Sequence, residues 1–493
     1  RIMRTATGFF LQDRSWTVDL RTAMMPKKKM IALEPTDYLF LAGETRQQPM
    51  HVGCLLFYCV KEGEDANEAA TSAFARMQSY TQANPPFNYR LARRWLPYWE
   101  EDHEFDITNH VRHVQLPHPG DIKELLKLVG VFHGLTMDRS LPLWYVWIIS
   151  GLPDNRYAVY TQIHHSLLDG VSGARMIARA HSPDPAQRDM PPIWAMPVKG
   201  SKRKASNQAK AQGDLETDPF SAAVNLLRSN RNIARTVMQA WKNDRIGLFG
   251  SDMFNAPDTI LNQRITGARR FVADSFSLSR IKAVGKPLGA TVNDMLLTMM
   301  GRSLQRYLED LGQLPKEPLR VLMPVNLRED DSIGGNQIAM VRASLGTDQT
   351  DIAGIMAAVK RSVDEQKKLL RKLSKSESQL YSGITLAPWL ANATTGKLDR
   401  FRTANTLLSN VPGPKETLYW NGEQLDAMYP VSIVMHQNGV NFTVFSYRDN
   451  IELGIIGCRT RIPHLQVLLQ YMHEALDEIE AASRPAKKQR SAG

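Results

Sequence analysis

Two adjacent histidines, an acid four residues after the second, and a glycine directly after the acid stand together in Ile163-His164-His165-Ser166-Leu167-Leu168-Asp169-Gly170. The apolar run Tyr157-Ala158-Val159-Tyr160 leads into them, so the segment reads as a strand that delivers an imidazole to its end. Histidine titrates near neutral pH without help, which suits it to general-base work. A neutral imidazole can take the proton of an alcohol as its oxygen attacks a carbonyl. The imidazolium then returns that proton to the leaving group, so one residue serves both halves of an acyl transfer. Such a base contributes roughly 10²–10⁴ in rate, and His165 is the candidate. Consecutive side chains of an extended segment point to opposite faces, so His164 is assigned a packed, supporting place. Asp169 either tightens the following turn, holds an arginine or orients an imidazole, and Gly170 is expected to supply a backbone conformation denied to other residues. Read alone, the segment equally describes a core histidine, a surface histidine and a helix-capping aspartate.

Other chemistries find little support. No Gly-x-Ser-x-Gly elbow is present, and Ser166 and Ser172 have no special context. Cys54 and Cys59 sit in an apolar strand, where thiols are buried and inert. Gly334-Gly335-Asn336 lacks the phosphate-loop pattern, and no Cys-x-x-Cys or His-x-x-x-His pair suggests a metal. Neither a metal nor a cofactor is therefore expected. Three cysteines, Cys54, Cys59 and Cys458, make no disulfide framework and point to a reducing, cytoplasmic compartment.

The elements that must position the histidines divide 493 residues into two mixed halves, too long a chain for one ordinary core. Residues 30–181 carry strand-like runs at Val52–Tyr58 and Leu143–Ile149, helical periodicity in Asn67–Gln82 and Ile122–Leu128, and a helix over Ser172–Ala180. Residues 182–261 read as a linker, at least partly mobile: five prolines from Pro183 to Pro197, then Lys199, Lys202, Arg203, Lys204 and Lys210 without an acid up to Gly213. Within it, 218–241 is an amphipathic helix, suited to packing on a core or to lying on a membrane surface. Residues 262–482 hold a helix capped by Thr291 with Asp294 at its third position, a long helix over Ile352–Leu370, and strands at Arg320–Met323, Ile338–Val341, Val431–Met435, Val440–Tyr447 and Ile451–Cys458. Residues 1–29 are an N-terminal extension and 483–493 a basic tail. The fold class is α/β or α+β.

A net charge of +11 suits an anionic membrane surface or a phosphorylated substrate such as a CoA thioester. No nucleic-acid-binding signature accompanies it, and no apolar run approaches the ~20 residues of a spanning helix. Peripheral attachment to a membrane or lipid droplet is the expectation.

His164-His165-Ser166-Leu167-Leu168-Asp169-Gly170 resembles the HHxxxDG motif of CoA-dependent acyltransferases, a motif also found in peptide-condensation domains. Further segments resemble, in order, the bacterial bifunctional wax ester synthase/diacylglycerol acyltransferases. They are Leu33-Glu34-Pro35-Thr36-Asp37 with Phe40-Leu41, Pro49-Met50-His51-Val52-Gly53, Phe105-Asp106 to His110-Val111, and Pro142-Leu143-Trp144. Asn293-Asp294, Pro324-Val325-Asn326-Leu327-Arg328, Gly335-Asn336, Ser409-Asn410-Val411-Pro412-Gly413-Pro414 and Tyr429-Pro430-Val431-Ser432 follow. Cys458 departs from the acidic residue usual in that family, and residues 1–29 have no counterpart. The resemblance implies an α+β sandwich of two chloramphenicol-acetyltransferase-like domains with a tunnel between them. Acyl-CoA as co-substrate and a long-chain alcohol or diacylglycerol would meet there, giving wax ester or triacylglycerol. It implies His165 as general base, a mainly architectural Asp169, Asn293 as a positioning group, and Pro142, Leu143, Trp144 and Gly170 near the acyl substrate. A carrier-protein-dependent condensation enzyme and a non-catalytic lipid-droplet protein of the same fold are the alternatives.

Overall fold

The computed structural model describes residues 30–33, 35–93, 97–118, 120–168, 170–196, 254–326, 338–371, 381–382, 384–385 and 402–484. The expectations for residues 1–29, Asp169, the helix 218–241, Leu327-Arg328, Gly335-Asn336 and the tail 485–493 lie outside them.

In chain order the first half contains α1 (Pro35–Gly43), β1 (His51–Cys59), α2 (Ala66–Gln78), β2 (Tyr89–Arg93), β3 (Pro97–Glu101), β4 (Val111–Gln115), α3 (Ile122–His133), β5 (Trp144–Ser150), β6 (Arg156–His164) and α4 (Gly170–Arg179). The second contains β7 (Arg269–Ser277), α5 (Leu278–Gly285), α6 (Val292–Asp310), β8 (Arg320–Asn326), β9 (Ile338–Ser344) and α7 (Ile352–Arg371). It ends with β10 (Thr406–Val411), β11 (Tyr419–Trp420), β12 (Glu423–Val431), β13 (Val440–Tyr447), β14 (Asn450–Cys458) and α8 (Val467–Ser483).

The unbroken apolar runs arise because the first sheet is covered on both faces. Along β1, Cys54, Leu56 and Tyr58 enter one core with Trp144, Val146 and Ile148 of β5 and Val159 of β6. The intervening Leu55 and Phe57 enter another with Trp147, Ile149, Ala158 and Tyr160. A side-chain period of two separates the sets. Both cores also take residues from the second half, Val411 and Phe445 in the first and Phe271 and Ile456 in the second, so both lie along the seam between the halves. The largest core belongs to the second half, where α6, α7 and α8 pack together and α7 lies against β9, and smaller clusters form around Leu33, Leu41, Trp99, Met137 and Leu143 and around Leu322, Met340 and Ala404. The helix start at Thr291 is the capping box expected: Asp294 N–H donates to Thr291 Oγ1 at 3.2 Å, and Asp294 Oδ2 accepts the Thr291 N–H at 2.9 Å.

Sheet order does not follow chain order. The first sheet runs β11-β12-β1-β6-β5-β4 and the second β7-β14-β13-β10-β8-β9. Residues Tyr419–Val431, within the sequence's second half, are therefore built into the first sheet. Gly53 opposes Val431 and Cys59 opposes Gln424, with a register shift between Phe57 and Tyr58. Where β12 crosses β14, a Cβ on Gly454 would stand 1.9 Å from the Pro430 carbonyl oxygen, so only glycine permits the crossing.

Two expectations are corrected. The strand expected over Val431–Met435 ends at Val431, because that segment is the tail of β12, which leaves the sheet there. Residues 182–196 are not a mobile linker. Ser182 and Tyr419 exchange backbone hydrogen bonds of 2.9 and 2.7 Å, the Met190 N–H donates to Asn421 Oδ1 at 2.9 Å, and Trp194 is buried against Trp144. Apolar Met190, Ile193, Trp194 and Met196 turn this proline-rich stretch into a strap over the first core.

Candidate active site

β6 ends at His164, whose N–H donates to the Leu143 carbonyl at 2.9 Å. The chain then turns: His165 N–H donates to the Met50 carbonyl at 2.9 Å, and Leu167 N–H to the His164 carbonyl at 2.9 Å. α4 begins at Gly170 and packs against β10 of the second half. The two histidines part as strand geometry requires. His164 is wholly buried, whereas His165 is partly exposed, its ring stacked on Phe40 of α1 with centroids 4.1 Å apart and planes 18° from parallel.

His164 sits between a serine and a carboxylate. Ser166 N–H donates to its Nδ1 at 3.2 Å, and the Ser166 hydroxyl lies 2.6 Å from the same nitrogen. A backbone N–H can only donate, so Nδ1 is the acceptor and Nε2 carries the ring proton. Nε2 faces Glu44 Oε1 at 3.5 Å, an electrostatic contact without a formed hydrogen bond. Glu44 Oε1 also accepts the Met50 N–H at 3.2 Å, and its Oε2 accepts Arg139 Nη2 at 2.9 Å. Burial pushes the Glu44 carboxyl up, but His164, the Met50 N–H and Arg139 outweigh it and hold it at about 2. Arg139 supplies the countercharge.

A buried polar group lies beside this pair. His51, opposite His164 in the sheet, donates Nε2–H to the His133 carbonyl at 2.9 Å, and His133 donates Nε2–H to the Ser432 carbonyl at 2.8 Å while its Nδ1 accepts from the Tyr160 hydroxyl at 2.6 Å. Burial depresses His51 to about 3 and leaves it neutral. His133 is pushed down in the same way. His51 and His133 are thus neutral scaffolding beside His164.

On the second half, Asn293 in the first turn of α6 accepts a 2.7 Å hydrogen bond at Oδ1 from Asn410 Nδ2 of β10. The amide of Asn293 is thereby oriented with its own N–H donors free of that contact. β10 is also the strand that α4 packs on, so the residues after the histidine turn and the Asn293–Asn410 pair share one junction between the halves.

The other sequence-selected residues are placed as follows. Pro142 is buried. Leu143 and Trp144 have no exposed surface; Trp144 stacks on His110 at 4.4 Å and on Trp194 at 5.1 Å and donates Nε1–H to the Phe87 carbonyl at 2.8 Å. These two side chains are core packing, and Leu143 serves the site through its carbonyl on His164. Gly170 does not need glycine's conformational range: its φ is not left-handed, and a Cβ there would meet nothing within 4 Å. The expectation of a special backbone is corrected, and the glycine instead leaves open space at the start of α4. Asp169 is outside the described residues.

Sequence reasoning missed Glu44 and the part played by Ser166, and it read Phe40 only as a segment marker. The one local clue to Glu44 is an acid four residues beyond Phe40 at the end of an apolar helix. Cys458 is buried and accepts from Thr266 N–H at 3.4 Å, opposite Arg269 in the sheet. Cys54 is buried with its thiol pushed up by burial, as expected of an inert core cysteine, whereas Cys59, expected to be buried with it, is partly exposed.

Comparisons with known proteins give the family. Residues 33–296 match the wax ester synthase/diacylglycerol acyltransferase catalytic domain, and residues 334–480 match the corresponding C-terminal domain. An O-acyltransferase of Acinetobacter baylyi is 36% identical over 92% of this chain and 97% of its own length. The solved wax ester synthase/diacylglycerol acyltransferase of Marinobacter aquaeolei superposes with a TM-score of 0.74 at 37% identity, covering 92% of this chain and 99% of that one. A condensation domain of the calcium-dependent antibiotic synthetase shares the fold, at a TM-score of 0.57 and 13% identity over 92% of this chain and 96% of that one. On this shared length, sequence and fold, the chain belongs to the wax ester synthase/diacylglycerol acyltransferase family.

Proposed function

We propose that the protein transfers a fatty acyl group from acyl-CoA to the hydroxyl of a long-chain alcohol or of diacylglycerol, giving a wax ester or a triacylglycerol. The observation that carries the reading is His165: a partly exposed imidazole at the end of β6, fixed by the Met50 carbonyl and the Phe40 ring, beside a fully buried neighbour. The His165 lone pair takes the hydroxyl proton as the oxygen attacks the thioester carbonyl. The tetrahedral intermediate collapses, the carbon–sulfur bond breaks, and the imidazolium returns the proton to the CoA sulfur. Both substrates are bound together, and no acyl-enzyme forms. Asn293, oriented by Asn410, offers N–H donors suited to positioning the reacting groups or the developing oxyanion.

Acyl-CoA is a co-substrate in this scheme, with no further cofactor. Among the described residues no helix is long and apolar enough to cross a membrane. Contact with a membrane surface or lipid droplet is proposed through the basic residues of 199–241 and the net charge of +11.

The test is a radiolabelled acyl-CoA assay offering hexadecanol and diacylglycerol separately. Labelled ester should form with the parent, and His165→Ala should reduce it by ~10² or more while the circular dichroism spectrum is kept. Equal activity of His165→Ala and the parent would overturn the mechanism.

A further inference from the structure

One short helix reaches both histidines. Phe40 of α1 lies face-on to His165. Glu44 follows directly after α1, its N–H donating to the Phe40 carbonyl at 3.1 Å, and its carboxylate faces His164. Four residues apart on a helical turn, the two side chains project to one side. The carboxylate is locked in turn. Arg139 donates to Oε2 through Nη2 and Nε at 2.9 and 3.2 Å, and the same Nη2 reaches the Leu41 carbonyl at 2.7 Å. Met50 closes the ring: its N–H donates to Glu44, and its carbonyl receives the His165 N–H.

A helix kept only for packing would not bury a carboxylate. Removing an ion pair from water costs free energy that an apolar pair of similar volume avoids. The Glu44 side chain is 3% exposed, yet it spends its contacts on His164, Met50 and Arg139 rather than on the core. Stacking on Phe40 occupies one face of the His165 ring and so sets its plane. A base must hold its lone pair within hydrogen-bond reach of the substrate hydroxyl, and a 1 Å misplacement can cost about 10² in rate.

We propose that α1 is a positioning element for acyl transfer: Phe40 sets the plane of the His165 imidazole, and Glu44, by accepting the Met50 N–H, holds the residue whose carbonyl anchors His165. The proposal rests on His165 as general base, so His165→Ala runs beside every variant.

The experiment uses the full chain with acyl-CoA and hexadecanol, measuring kcat and KM separately. Phe40→Ala should lower kcat about tenfold or more and leave KM for acyl-CoA within about threefold, because only orientation is lost. Phe40→Tyr keeps a flat ring and should recover kcat to within about threefold of the parent. If Phe40→Ala fails to fold, Phe40→Leu replaces it: a side chain of similar bulk without a flat face, expected to fold and to stay slow. Glu44→Ala removes the acceptor of the Met50 N–H and should lower kcat about threefold or more with KM kept, whereas Glu44→Gln keeps an acceptor oxygen and should recover it. Parent-like kcat in Phe40→Ala or Phe40→Leu with an inactive His165→Ala overturns the role of Phe40 alone. Parent-like kcat in Glu44→Ala, or a Glu44→Gln as slow as Glu44→Ala, overturns the role of Glu44. An active His165→Ala overturns the underlying mechanism instead.

Discussion

Glu452 allows a sharp test of how the second half balances burial against charge. It lies on β14 with no exposed surface, accepts a hydrogen bond at Oε2 from the Ser275 hydroxyl, and Ser275 pairs with the Tyr429 hydroxyl at 2.9 Å. Burial pushes its carboxyl up from the ordinary 4.5 to about 7, with the serine hydrogen bond pulling the other way. Below pH 4.5 both folded and unfolded chains hold the proton, and the group is neutral in its effect. Between 4.5 and 7 the unfolded chain releases it and the folded chain does not, so stability falls as pH rises. Above 7 the cost is complete, ~3 kcal/mol for that gap. Glu452→Gln keeps the shape and removes the charge. A chain of this length unfolds with an entropy of roughly 1 kcal/mol/K, so the gain is ~3 °C in Tm at pH 8.5 and less than ~1 °C at pH 4.5. Melting parent and variant at both pH values measures it. The same Tm difference at both, or a more stable parent at pH 8.5, refutes the reasoning. The variant should still lose stability with rising pH, because Glu423, bonded to the Tyr157 hydroxyl, is also raised by burial to about 7.

Glu44 should show the opposite slope. Held at about 2, it contributes ~3 kcal/mol above pH 4.5 that is lost as pH falls toward 2, and urea midpoints between pH 5 and 2.5 should flatten in Glu44→Gln. Gly454→Ala drives a Cβ onto the Pro430 carbonyl and should cost ~3 kcal/mol or more, read as a lowered Tm and a poor soluble yield. Gly170→Ala meets open space in an ordinary backbone conformation and should move the Tm by no more than the equivalent of ~1 kcal/mol. Thr291→Ala removes the hydroxyl from the capping box and should cost ~1 kcal/mol, measured by chemical denaturation.

Much of the fold was legible because local signals and tertiary demand coincide. β13 and β14 announce themselves as apolar runs, and Thr291 with Asp294 marks the start of α6 two residues from where chemistry was sought. The histidine turn was legible for the same reason, a strand ending in polar residues. What stayed hidden depends on partners distant in sequence. Nothing in Glu423–Val431 says that it pairs with β1 rather than with its own half. Nothing local separates Glu44 from a surface acid, since its burial is decided by Arg139 and His164. The strap 182–196 looked like a linker because its prolines are a local signal, whereas the pocket that receives Trp194 is assembled from α2, β5 and residues of the second half.

The borrowed strand has a consequence for how the molecule is made. Gly53 and its partner Val431 stand at opposite ends of the sequence, so β1 emerges from the ribosome long before its neighbour exists. Until β12 arrives, a row of unpaired amides along Leu55, Leu56 and Phe57 is open to any passing chain. Dividing the gene between the halves would make that interim permanent. The two pieces should come out insoluble apart and recover only when synthesised together.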